Sequence, residues 1–235
     1  MSTDTGSASR STSRAAASPD DRLSVLIVDD DRWTTRAISL ALSADPDLAP
    51  LAPVHSGDDA VAEYTRHRPD VVLMDLNMPH GIGGIEAIVE IRALHEDARV
   101  LVLTTISPGP GIARALEAGA SAALNKTAAD SALRAAVKAV AKGESPGLLR
   151  GLAQNIVVSG ERLPDAPARS PALSPREQEV LGLICQGLGY EEMATTLRVQ
   201  PWTVKTHAKS LREKLHADSL AQLVVRAIQY RFYSV

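Results

Sequence analysis

Three short unbroken apolar runs constrain this chain most: Val25-Leu26-Ile27-Val28, Val71-Val72-Leu73-Met74 and Val100-Leu101-Val102-Leu103. A strand with one wet face alternates polar and apolar residues, so a run of four without alternation predicts a strand buried on both faces. Amphipathic stretches lie between the runs from Leu23 to Gly143, and strand alternating with helix predicts a doubly wound parallel sheet. A weaker fifth strand is expected from Ala120 to Leu124. The stretch between Leu48 and Val54 supplies another, but Pro50 and Pro53 confine it to an edge. The last helix of this part, Ala128 to Lys142, follows Thr127 and stops at Gly143, with Leu133, Ala136, Val137 and Val140 on one stripe. Aromatic residues make up 3% of the chain, so Ala, Val, Leu and Ile must build its core.

The organisation beyond that sheet follows from composition. Residues 1–22 are Ser, Thr, Ala and charge with no apolar face, which predicts a disordered tail. Residues 144–172 carry Pro146, Pro164, Pro167 and Pro171 and read as a linker, with a short helix expected in the first half. From residue 173 to 235 the pattern is helical. Residues 22–146 hold 12 basic and 17 acidic side chains, and residues 170–235 hold 8 and 6, so an acidic unit precedes a mildly basic one and different partners are expected for each. One cysteine, Cys185, excludes an internal disulfide and a cysteine-cluster metal site. No apolar run approaches the roughly 18 residues of a membrane span, and the first twenty residues lack a signal-peptide core. A cytoplasmic protein without membrane contact is expected.

Chemistry in an open parallel sheet belongs at the carboxyl ends of its strands. Asp29, Asp30 and Asp31 follow the first run, Asp75 ends the second long run, Thr104 and Thr105 end the third, and Lys126 follows the fifth strand. Carboxylates crowded at one edge repel each other unless a cation sits between them, and hard oxygen donors with room for water suit Mg²⁺. A carboxylate beside Mg²⁺ and a lysine is suited to receive a phosphoryl group, whose oxygens the metal, the ammonium and a hydroxyl would hold.

With VDDD, LMDLNMP, LTT and NKT each behind its own strand, residues 23–143 resemble the receiver domains of two-component response regulators, a flavodoxin-like five-stranded fold. The resemblance implies Asp75 as phosphoacceptor, with Asp29, Asp30, Asp75 and the backbone carbonyl of Asn77 as Mg²⁺ ligands. It further implies Thr104 as the phosphoryl-binding hydroxyl and Lys126 as the counter-cation. Two positions depart from the family pattern. Ala123 stands where a Tyr or Phe ring usually sits, three residues before the lysine. The loop from Met78 to Ala87 is one residue longer than usual and, with Gly81, Gly83 and Gly84, is expected to be flexible. Haloacid-dehalogenase phosphatases also carry an aspartate pair after a first strand, but they need Thr or Val where Trp33 stands.

In the rear unit, Ser174, Pro175 and Glu177 predict a capped helix start, with Val180, Leu181, Ile184, Cys185 and Leu188 on one face. Cys185 reads as a small buried apolar residue. Gly187 and Gly189 close that helix, Tyr190 to Leu197 forms a short second one, Pro201 to about Leu215 a third, and Ser219 to about Tyr230 a fourth. A short helix, a tight turn and a longer helix predict a helix-turn-helix whose second member enters the major groove. Val204, Ala208, Leu211 and Leu215 form the third helix's core stripe, while Lys205, Lys209, Arg212 and Lys214 against Glu213 leave it a charge of +3.

LSPREQEVLGLICQGL followed by TVKTHAKSLREKL resembles the LuxR-type helix-turn-helix of the NarL/FixJ class of response regulators. The resemblance implies base contacts from Lys205, Thr206 and Lys209 and backbone contacts from Thr203, His207 and Lys214. Gln200 takes the place of the usual Ser or Thr cap.

Together these motifs predict a transcription regulator controlled by phosphorylation of Asp75 by a sensor histidine kinase. It would bind double-stranded DNA as a homodimer, with dimerisation responding to phosphorylation and no turnover of an external substrate. The alternative is a DNA-binding regulator whose receiver acts through protein or ligand contact without phosphorylation, and a third is a phosphatase using the acidic pocket.

Overall fold

The computed structural model describes residues 22–105, 110–143, 149 and 170–233. The expected N-terminal tail and nearly all of the expected linker lie outside them.

Five strands, β1 (Leu23–Val28), β2 (Leu48–Pro50), β3 (Val71–Asp75), β4 (Val100–Thr104) and β5 (Ala122–Asn125), form one parallel sheet in the order β2-β1-β3-β4-β5. The β-branched runs occupy the three central strands, and the proline-bearing strand is at the edge, where a missing N–H costs no ladder bond. Helices α1 (Arg32–Ser43), α2 (Gly57–His67), α3 (Gly84–Leu94), α4 (Pro110–Glu117) and α5 (Asp130–Ala141) cover both faces. Alternate residues of β1 serve two cores: Val25 and Ile27 pack with α1 and α5, and Leu26 and Val28 with α2, α3 and α4. The chain order reverses between β1 and β3, so a crevice opens at the carboxyl ends of those two strands.

Two elements of the receiver start two residues later than the sequence pattern, each for a local reason, and the edge strand expected up to Val54 stops at Pro50. Ala120 donates back to Ala115 and so closes α4 around Gly119, at φ +108, which delays β5 to Ala122. After β5, the Asn125 side chain accepts from both the N–H and the hydroxyl of Thr127, and this turn delays α5 to Asp130. The expected stripe of α5 is buried as a unit.

The described residues of the rear unit form four helices: α6 (Pro175–Cys185), α7 (Tyr190–Leu197), α8 (Pro201–Leu215) and α9 (Leu220–Gln229). Ser174 and Glu177 form the expected reciprocal cap of α6. Arg198, left-handed at φ +53, makes the tight turn between α7 and α8, and its N–H bonds the Ala194 carbonyl. Val204, Ala208, Leu211 and Leu215 are fully buried, which fixes the opposite side of α8 outward. Cys185 is buried, and burial pushes its thiol up to about 12, leaving an unreactive sulfur.

Candidate functional site

The crevice at the β1/β3 switch point gathers most of the expected polar residues. Asp29 at the end of β1 is 1% exposed and Asp75 at the end of β3 is 4% exposed. Lys126, just past β5, lies with Nζ 2.6 Å from Asp29 Oδ2 and 3.0 Å from Asp75 Oδ2. It is aimed there by the ladder: Asn125 pairs with Thr104, and the Lys126 N–H donates to the Thr104 carbonyl at 2.8 Å. Thr104 is itself buried at the end of β4, one strand from Asp75.

Burial pushes the Asp29 carboxyl above its ordinary range, and Asp75 adds to that, even though Lys126 and the Asp31 N–H act against it. Burial also works to lower the Lys126 ammonium, but Asp29 and Asp75 outweigh it and hold the charged form. Carboxylate oxygens of Asp29, Asp30 and Asp75 lie within 4.8 Å of one another. Three acids against one lysine leave an uncompensated negative charge, and a set of hard oxygen donors half-open to water fits Mg²⁺. Asn77 is at the exposed rim.

Asp31 has a different task from its two neighbours: it caps α1, accepting from the Trp33 N–H at 2.9 Å and the Thr34 hydroxyl at 2.8 Å. The Thr34 bond, with the Trp33 bond behind it, lowers its carboxyl. The glycine loop, expected to be flexible, is anchored. Ile82 N–H donates to Asp58 Oδ2 at 3.0 Å, and at Gly84 a Cβ would stand 2.1 Å from the Asp75 carbonyl oxygen. Gly84 thereby lets α3 start directly against the backbone of Asp75. Ala123 is half-buried on β5 and offers a methyl group, with no ring to turn.

On α8, Lys205, Thr206 and Lys209 are exposed, as their spacing predicts. Lys205 Nζ rests 5.5 Å from the centre of the Tyr190 ring, and the Thr206 hydroxyl donates to the Trp202 carbonyl at 3.0 Å. Thr203 and His207 are half-buried on its flanks. Lys214 sits apart from these, its ammonium 2.8 Å from Glu177 Oε2. Gln200 caps α8 without a side-chain bond, and Pro201 provides the first helical position.

One feature had no signal in the local sequence pattern. Glu117, at the end of α4, accepts from Arg226 at 3.0 Å and from Gln229 at 2.6 Å, and its carbonyl accepts from Gln222 at 3.1 Å. The front unit is thereby clasped to α9. Beside this clasp, Lys209, Arg212 and Glu213 of α8 line a cleft of about 820 Å³ with Arg92, Glu96 and Asp97.

An acidic switch-point crevice with a half-buried lysine, joined to a helix-turn-helix, defines a class: a signalling receiver coupled to a DNA-binding output. The profile described as "Response regulator receiver domain" matches residues 25–138, and that of "Bacterial regulatory proteins, luxR family" matches residues 171–227. Over 211 residues the chain is 31% identical to the response regulator protein VraR of Staphylococcus aureus, covering 88% of this chain and 97% of that one. It is 32% identical over 199 residues to a nitrate/nitrite response regulator protein homolog of Haemophilus influenzae, covering 85% and 93%. A LuxR-family two-component response regulator from Aurantimonas sp. SI85-9A1, solved by crystallography, aligns with TM-score 0.52 and 31% identity over 59% of this chain and 98% of that one. The chain belongs to the two-component response regulators with a LuxR-type output domain, and is a DNA-binding regulator that accepts a phosphoryl group without being a multiple-turnover enzyme. Among the described residues, no helix is long and apolar enough to cross a membrane.

Proposed function

We propose that Asp75 takes the phosphoryl group from a phosphohistidine of a sensor kinase, and that the phosphorylated protein acts in the cytoplasm on double-stranded DNA as a homodimer. The observation that carries this is the placement of Lys126 Nζ within 3.0 Å of both Asp29 and Asp75 at the switch point. An oxygen of Asp75 attacks phosphorus, the bond to the donor's nitrogen breaks, and the leaving imidazole keeps the electron pair. Lys126 neutralises charge on the phosphoryl oxygens, and the Thr104 hydroxyl donates to one of them. Asp29, Asp30, Asp75 and the Asn77 carbonyl would hold Mg²⁺, which when bound screens these acids from the arriving anion. The receiver spans 23–143 and the output domain 173–235. In the latter, Lys205, Thr206 and Lys209 meet base edges, while Thr203, His207 and Lys214 meet the DNA backbone.

The test is intact mass after incubation with acetyl phosphate and Mg²⁺, followed by DNA binding and oligomeric state. One phosphoryl adduct is expected on the wild type and none on Asp75→Asn, which also loses the donor-dependent gain in dimer and DNA affinity. A variant that binds DNA like the wild type, with and without donor, would remove the phosphoryl switch. It would favour a receiver acting through protein or ligand contact, the reading that the methyl of Ala123 supports.

A further inference from the structure

We propose that Trp202 is a specificity-determining residue whose indole meets the C5-methyl of a thymine in the major groove. This rests on α8 being the helix that contacts DNA. Successive residues of a helix turn by about 100°, so the side of α8 farthest from its buried Val204, Ala208, Leu211 and Leu215 is the strip Trp202, Thr206, Lys209 and Glu213. Trp202 is 68% exposed on that strip. An indole that open contributes little to the core of its own domain, and leaving so large an apolar surface in water is unfavourable until something covers it.

The surroundings identify the cover. Trp202 is the second residue of α8, and the N-terminal residues of a recognition helix are those that reach base edges. Lys205 and Lys209 flank it, and no acid lies in the first turn of the helix, so the charge around the ring suits a polyanion. The Thr206 hydroxyl beside it donates to the Trp202 carbonyl, so it meets a base edge only as an acceptor. In the major groove the apolar group offered to such a ring is the thymine methyl.

The experiment uses the full chain with Mg²⁺ and beryllofluoride. Duplexes are selected from a random pool with wild type, and each thymine of the selected site is then replaced singly by deoxyuridine. At one thymine per half-site, loss of the methyl should weaken wild type about fourfold, the worth of one methyl kept from water. The same replacement should cost Trp202→Ala nothing, while Trp202→Phe keeps part of the sensitivity. Trp202→Ala should also bind the thymine duplex more weakly with an unchanged dependence on salt, because no charge is lost. Thermal melting of the variant establishes that it is folded. Equal deoxyuridine penalties for wild type and Trp202→Ala at every position, or equal affinities, would overturn the role of Trp202 while leaving α8 as the reading helix. Failure of wild type to select any duplex would overturn both.

Discussion

Lys214 and Lys126 are each drawn into carboxylates, and their two clusters are opposites in charge balance. In the output domain, Glu177 meets one ammonium, that of Lys214, and its remaining lone pairs take the Ser174 N–H at 2.8 Å and the Ser210 hydroxyl at 2.9 Å. The Lys214 bond outweighs the cost of burial and holds the carboxyl down to about 2. In the receiver, Lys126 faces Asp29, Asp75 and the nearby Asp30, and there burial wins at Asp29, whose carboxyl is held up. A balanced cluster is architecture: it ties the start of α6 to the end of α8. A cluster with surplus charge is strained until a cation or a phosphoryl group enters, which is the sense in which function is stored as instability.

The sharpest way to break this contrast is to remove Glu177. Glu177→Ala leaves Lys214, Ser210 and the first turn of α6 without their acceptor, and should destabilise the output domain by about 3 kcal/mol, read by urea denaturation. Glu177→Gln keeps the shape and should lose less. Because the folded carboxyl titrates near 2 against an ordinary value of 4.5, the ion pair's contribution is complete above about 4.5 and is lost as pH falls toward 2. The gap between wild type and Glu177→Gln should therefore close over that window. A gap that stays constant would mean that the pair with Lys214 contributes nothing to the fold.

The receiver cluster should answer in the opposite direction. Asp30 is exposed at its rim, so Asp30→Asn removes one of three competing charges without opening a cavity. In EDTA the variant should melt higher than wild type by about 2–4 °C. Adding Mg²⁺ should raise the wild-type melting point and move the variant's much less, since binding to the folded state alone stabilises it. A variant that melts lower in EDTA would show the three acids to be no surplus at all.

The same contrast explains what could be read from sequence. β1, β3 and β4 were legible because four apolar residues in a row have few other places to go, and β2 because proline restricts it to an edge. The acidic crevice was legible because its members stand at the carboxyl ends of parallel strands, so topology alone brings them together. The anchoring of the glycine loop was not, because it depends on Asp58, 24 residues away from Ile82. Lys214 lies in a basic run that suggests phosphate contact, and nothing local reveals a partner 37 residues upstream. Pairings of that separation are decided by packing, and periodicity carries no record of them.

The smallest expected effect concerns the link between the two regions. Glu117 ends a receiver helix yet spends its carboxylate on Arg226 and Gln229 of α9, while the cleft beside it places α3 and the segment after it opposite Lys209 and Arg212. A duplex lying along the whole of α8 would approach that receiver wall, so the clasp is expected to hinder DNA at the C-terminal half of the helix. The pair is partly solvated and worth about 1 kcal/mol or less, so Glu117→Ala should raise the DNA affinity of the unphosphorylated protein by up to about fivefold. The beryllofluoride-bound protein should change little, since a mimic that shifts the population toward release leaves less for the variant to gain. Fluorescence anisotropy titrations of one duplex, with and without beryllofluoride, measure both arms. An affinity that falls, or rises equally in the two states, would mean that the contact between α4 and α9 holds the domains together without restraining either.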